Sequence, residues 1–216
     1  MSQIGSSADV EIRAFASPQL PYFSRLSLHD QAAAIQRLSQ SVSVVREVLA
    51  SGDSVLSSAT LIWRALKELG LRPASGLFET MSEGDVVEIY DLKNIQIFRN
   101  LQFFRYCSYT LEDLYSRPWT ELFVRREEGV TDTLLEVLSD MLSRSVRHTI
   151  VPAIGYQTTQ EVNSTHEFSI KLKIKSLALL FNSKDEPAAF LAVEEAVHLN
   201  SSLEFADRDD PKDRLD

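Results

Sequence analysis

Hydrophobic positions recur at helical spacing up to Gly84 and at strand spacing soon after it. In the first part, Ile35, Leu38, Val42, Val45 and Leu49 follow one another at intervals of three and four, which places them on one stripe of a helix over 27–50. Ser27 and Asp30 stand at capping-box spacing at its start, and Gly52 ends it. Asp53 can cap a second helix over 54–69, whose stripe is Val55, Ala59, Ile62, Leu66 and Leu69 and whose end is Gly70. The short connection predicts an antiparallel helical hairpin over 27–70. Two helices cannot enclose a core, so their stripes must meet a partner domain or a second copy of the chain. Residues 1–26 lack sustained periodicity and read as a flexible arm whose aromatic end, with Tyr22 and Phe23, can dock. Residues 71–84, with Pro73, Gly76 and Gly84, read as a connector.

Beyond Gly84, Val86–Tyr90 and Ile95–Phe98 are short strand-type runs, and Asp91–Asn94 between them has turn chemistry, so a β-hairpin is predicted. Helical pieces follow. Leu101–Ser108 is rich in aromatics, Thr110–Tyr115 opens on a Thr110/Asp113 capping pair, and Pro118 suits the first position of a turn over 118–123. A longer helix spans about 131–146, with Leu134, Leu138, Met141 and Ser145 on one stripe. Residues 149–159 read as a strand that Pro152 and Gly155 bend or confine to an edge. Phe168, Ile170, Leu172 and Ile174 then alternate with Ser169, Lys171, Lys173 and Lys175, which turns the apolar set to a core and the lysines to water. The apolar phase slips to Leu177, Leu179 and Phe181, predicting a β-bulge near Lys175-Ser176. Asn182–Asp185 is turn-like, Pro187–Leu199 supplies a last strand, and the acidic segment 200–216 reads as a disordered tail. Grouped strands and grouped helices exclude a crossover pattern and predict an α+β domain with an antiparallel sheet over 85–199.

The element order of 85–199 and the run Ile95-Gln-Ile-Phe-Arg-Asn100, Phe103, Tyr109-Thr-Leu-Glu-Asp-Leu114, Trp119 and Leu122-Phe123 resemble the PAS domain family. In that family's N-terminal core a strand ends in Asn, an aromatic residue starts a short helix, and an aromatic-Ser/Thr-x-Glu-Glu/Asp-Leu segment opens the next. Tyr109 and Thr110 stand at those positions here, while Ser108 replaces the usual Gly. The resemblance implies a five-stranded antiparallel sheet in the order 2-1-5-4-3 with its helices on one face. It also implies a sensory or interaction module that works with a signalling protein partner and does not act as an enzyme. Helices flanking a PAS core commonly pair across a two-fold axis, which makes 27–70 a candidate homodimer interface through Leu38, Val42, Val45, Leu49, Ile62, Trp63 and Leu66. The rival arrangement folds the hairpin back on the open face of its own sheet.

Composition narrows the function without naming it. A net charge of −9 works against non-specific nucleic-acid binding. No apolar window of membrane-spanning length occurs, and the N-terminus shows no secretory pattern, so a cytoplasmic protein is expected. The single cysteine, Cys107, fits a reducing compartment. No phosphate-cradling glycine loop, nucleophile elbow or zinc motif is present, which argues against catalysis. His29, His148, His166 and His198 have no common ligand spacing, so no metal site is expected. His148 follows the longer helix. It is either a cap at that helix's C-terminus or, by resemblance to haem-binding PAS domains, an axial haem ligand. Cys107 is either a redox thiol near Arg105 or a small buried hydrophobe. The lysine row on the long strand can pair with the acidic tail or simply face water. The dense aromatics either fill an ordinary core or line an apolar ligand pocket between sheet and helices. For the pocket the candidates are Phe98, Phe104, Cys107, Trp119, Phe123, Leu138, Met141, Ile170, Leu172, Leu179 and Leu191.

Overall fold

The computed structural model describes residues 10–164 and 168–198, His198 in its backbone alone. His166 and the acidic tail lie outside the described residues. Helix α1, Leu28–Ala50, starts where the sequence places it, with the Ser27 side chain accepting from the Asp30 amide at 3.1 Å. Helix α2, Ser58–Glu68, starts later than predicted: its N-cap is Ser57, and Asp53 instead accepts from the Ser51 hydroxyl. Gly52 and Gly70 follow the two helices with positive φ, the backbone state that favours glycine there.

The face of α1 also differs from the predicted stripe. Its buried residues are Ala34, Ser41, Val44, Val45 and Val48, while Ile35 and Leu49 are exposed and Leu38 and Val42 only partly buried. The series 34-38-41-45-48 is as regular as the one chosen from the sequence. Its smaller side chains Ala34 and Ser41 suit a helix that lies close against a neighbouring layer. On α2 the buried set is Ser58, Leu61, Ile62, Ala65 and Leu66, with Ala59 turned outward.

The sheet has six strands in the order β2-β1-β6-β5-β4-β3. They are β1 Val86–Asp91, β2 Gln96–Arg99, β3 Phe123–Arg125, β4 Gln157–Glu161, β5 Ser169–Phe181 and β6 Pro187–His198, and every pairing is antiparallel. Without the short β3 the order is the expected five-stranded one. The sequence missed β3 because three residues carry no readable period. The predicted strand over 149–159 shrinks to β4, since Pro152 and Gly155 leave the stretch before it irregular apart from one bridge, Ile150 to Leu177. The bulge in β5 falls between Ile174 and Ser176, as the phase slip predicts.

Between β2 and β4 lie a 3-10 turn, Leu101–Arg105, then α3 Leu111–Ser116, α4 Trp119–Leu122 and α5 Val130–Ser143. Thr110 and Asp113 form the full capping box of α3, and Pro118 is the N-cap of α4. These helices cover the sheet face that carries Val86, Glu88, Tyr90, Phe190, Ala192 and Glu194. The alternate residues, Val87, Ile89, Leu191, Val193, Ala178 and Leu180, are fully buried on the opposite face in one cluster with the helical hairpin. The hairpin therefore folds back on its own sheet. Asn100 fastens this joint, giving its side-chain amide to the Ser58 hydroxyl at 2.8 Å and the Asp85 carbonyl at 2.7 Å.

Residues 10–26 are docked along the chain rather than free. The Leu111 and Glu112 amides donate to the carbonyls of Arg13 and Ala14, and Glu112 accepts from the amides of Tyr22 and Phe23. The 71–84 segment is also tied down, with Arg72 and Phe181 exchanging backbone hydrogen bonds at 2.8 and 3.0 Å. Phe168 is 39% exposed, so the apolar alternation of β5 enters the core only from Ile170. Lys175 is not a solvated lysine: its ammonium meets the buried Asp85 carboxylate at 2.6 Å. Among the described residues, no helix is long and apolar enough to cross a membrane.

Candidate functional site

The curl of the sheet and the helices over its inner face enclose a cavity of about 60 Å³. Most of its wall is apolar and comes from α4, α5, β5 and β6. The start of α4 is pinned to the β1–β2 turn, because the Trp119 amide donates to the Asn94 carbonyl at 3.1 Å and its indole N–H to the Asn94 side chain at 3.3 Å. On the other side the Tyr109 hydroxyl, buried against the Leu122 carbonyl, accepts the Val162 amide at 2.6 Å. The helical layer is thus tied to both edges of the sheet.

Of the residues that the sequence offers as a pocket, Trp119, Phe123, Leu138, Ile170 and Leu172 line the cavity, and Leu191 borders it from a strand position whose register belongs to the outer face. Met141 and Leu179 are buried nearby under α5 without reaching it. Phe98 packs in the cluster shared with the hairpin, because its strand alternation turns it to the outer face opposite Ile89. Phe104 and Cys107 are buried beside a separate hollow next to Arg13 and Ser108. Burial, with the Glu161 carboxylate nearby, pushes the Cys107 thiol well up, which suits the hydrophobe and not a reactive thiolate. His148 is exposed, bridges Ser75 in backbone pairing, and does not line the cavity.

What the sequence did not indicate is the polar end of the cavity. Glu88 and Glu194 occupy diagonal positions on the inner face of β1 and β6, both buried. The Gln96 side-chain amide donates to Glu88, and Glu194 and Tyr90 adjoin the same carboxyl. Burial raises both carboxyls above the usual carboxylate range, and for Glu194 the Glu88 charge adds to it, whereas Arg99 pulls Glu88 back down. Burial, then the two glutamates, pushes the Tyr90 phenol well up.

Two arginines face this pair. Arg99, directly opposite Glu88 in the β1–β2 register, is 4% exposed, and none of its guanidinium nitrogens has a hydrogen-bond partner. It lies over the Phe103 ring at 4.4 Å and near the Tyr115 ring at 5.7 Å, which compensates part of its lost hydration. Arg125 lies over the Trp119 ring at 4.7 Å and leaves Nε and Nη1 unbonded. Its direct cross-strand partner, Thr159, is 3% exposed with an unpartnered hydroxyl, and the side-chain amide of Gln157 on the same face of β4 is unpartnered at both atoms. Each such orphan buried group costs about 1–3 kcal/mol. The signal in the sequence was present but unreadable: Glu88, Arg99, Arg125 and Glu194 are charges at strand positions that a half-exposed sheet would turn to water. Among the described residues, no cluster of His, Cys, Asp and Glu could hold a metal ion.

The seven hairpin candidates divide. Val45, Ile62 and Leu66 are buried against the chain's own sheet, Leu38 and Val42 are partly buried, and Leu49 and Trp63 are exposed, Trp63 by 59% with its edge on Phe78. No family model and no curated protein matches the chain. Among solved structures, it is similar to the PAS domain of a protein from Colwellia psychrerythraea, at 14% identity and a TM-score of 0.39, over 54% of this chain and 89% of that domain.

Proposed function

We propose that this chain is a non-enzymatic, PAS-type sensory and regulatory module. A small molecule in the cavity sets the packing of the inner face, and the helical hairpin on the outer face presents that state to another protein. The supporting observation is a continuous run of contacts between the two layers. Glu88 lines the cavity, Arg99 is its cross-strand neighbour, the Arg99 guanidinium lies 5.7 Å from the Tyr115 ring, and the Tyr115 hydroxyl shares a 2.7 Å hydrogen bond with Ser41 of α1. The same strands thus carry cavity residues on one face and hairpin contacts on the other, so repacking at the cavity is felt by α1.

Haem does not fit this reading. His148 lies outside the cavity, and about 60 Å³ is far too little for a porphyrin. The test is hydrogen exchange of the full chain with and without the small molecules that native mass spectrometry finds bound to it. The expected result is slower exchange in the turns of α1 around Ser41 when the cavity is filled, lost in Ser41→Ala. Unchanged exchange in α1 on filling would refute the reading.

A further inference from the structure

We propose that the polar end of the cavity is a binding site for a short-chain monocarboxylate of about two or three carbons, a size set by the cavity volume, whose carboxylate is held by Arg125 and Thr159. The proposal rests on the sensory reading and names its ligand.

The first ground is the surplus of donors. Arg125 Nε and Nη1 and the Thr159 hydroxyl lack partners, and both residues line the cavity. They stand directly opposite each other on β3 and β4, so their side chains leave the sheet side by side on one face. The next residue on that face of β4, Gln157, also has an unbonded amide nitrogen. A guanidinium has donors and no acceptor, and although Gln157 Oε1 is also unbonded it does not reach Arg125, whose Nε and Nη1 are left in need of acceptor oxygen. A carboxylate brings two oxygens and no competing donor. The Trp119 ring under Arg125 fixes the plane of the guanidinium, which prepares it for a planar anion.

The second ground is charge. Arg99 and Arg125 bring two guanidinium groups to the inner face, each lying over an aromatic ring, while burial raises Glu88 and Glu194 and so works against their charged forms. That set favours an anion over a cation.

The third ground is shape. The wall also includes Trp119, Phe123, Leu138 and Leu172, which accept a methyl or ethyl group, while Glu88 and Glu194 on the same wall disfavour a second carboxylate. A volume of about 60 Å³ holds roughly four to six water-sized groups, the heavy-atom count of acetate or propionate, so longer chains are excluded.

The test is calorimetric titration of the full chain with sodium propionate, against sodium chloride at matched ionic strength and against 1-propanol and propionamide as neutral analogues. Saturable propionate binding is expected, at least about tenfold weaker in Arg125→Met and several-fold weaker in Thr159→Val. Thr159→Val keeps the volume and gives an answer even if Arg125→Met fails to fold. Neutral analogues binding as tightly as propionate would overturn the carboxylate assignment and leave the sensory reading standing. Absence of binding by all three overturns it as well. In that case native mass spectrometry decides the sensory reading separately: a co-purified small molecule of another class keeps it, and the bare mass of the chain removes it.

Discussion

The two faces of the sheet are built by alternate residues of the same strands, yet they are opposite in character. On the outer face Val87, Ile89, Ala178, Leu180, Leu191 and Val193 meet Val48, Leu61, Ile62 and Leu66 of the hairpin in a dry, closely filled layer. On the inner face the same β1 and β6 present Glu88, Tyr90 and Glu194 to a cavity with unbonded donors. Close packing and full polar satisfaction are what stability selects. The outer face comes nearer to both conditions than the inner one, and it is on the inner face that the proposed function places binding.

The largest test of this contrast is deletion on the outer face. Leu180→Ala should cost about 3–5 kcal/mol in a denaturant titration, because Leu180 is fully buried between sheet and hairpin and its loss leaves a cavity. Leu172→Ala, on the cavity wall, should cost about 2–3 kcal/mol, since part of its surface already borders empty space. Equal losses would mean that the inner face is packed as tightly as the outer.

A weaker effect comes from pH. Burial raises Glu88 and Glu194 above the ordinary carboxyl value of 4.5, so above that value the folded chain binds more protons at this pair than the unfolded chain does. Stability contributed by the pair is therefore present at low pH and lost as pH rises through the folded value. Between about pH 5 and pH 8 the melting temperature of the parent chain should fall more steeply than that of Glu194→Gln. Parallel slopes would show that burial does not raise Glu194 in the folded chain.

Thr159→Val should raise stability by about 1 kcal/mol in the absence of ligand, because it replaces an unpartnered buried hydroxyl by a methyl group of the same shape. Destabilisation would mean that the hydroxyl is satisfied. The smallest effect is expected at Lys173→Ala, whose ammonium lies 5.6 Å from the exposed Tyr156 ring, with a change within about 0.5 kcal/mol.

Elements with a strong local cause were legible in the sequence. The Thr110/Asp113 capping box, the Asp91–Asn94 turn with its left-handed Asn94, and the bulge in β5 each depend on residues within a few positions of one another. The rotation of α1 was not legible, since Ile35 and Leu49 are more apolar than Ala34 and Ser41 and only the docked layer shows that the small residues lie inside. About half of the residues read as a pocket border the cavity, among them Trp119, Phe123, Leu138, Ile170 and Leu172. Phe98 went astray because an aromatic residue gives no sign of which sheet face it takes.

The sequence by itself determined the element order, the antiparallel α+β class and the capping and turn chemistry, all of which rest on contacts between near neighbours in the chain. Tertiary structure decided that the hairpin closes on its own sheet. It also decided that Glu88, Arg99, Arg125 and Glu194, spread from β1 to β6, meet around one cavity. A charge in a strand reads locally as a solvated position. Only the closure of a layer over it turns that charge into a buried group that needs a partner, and layer closure depends on residues about a hundred positions apart in the chain.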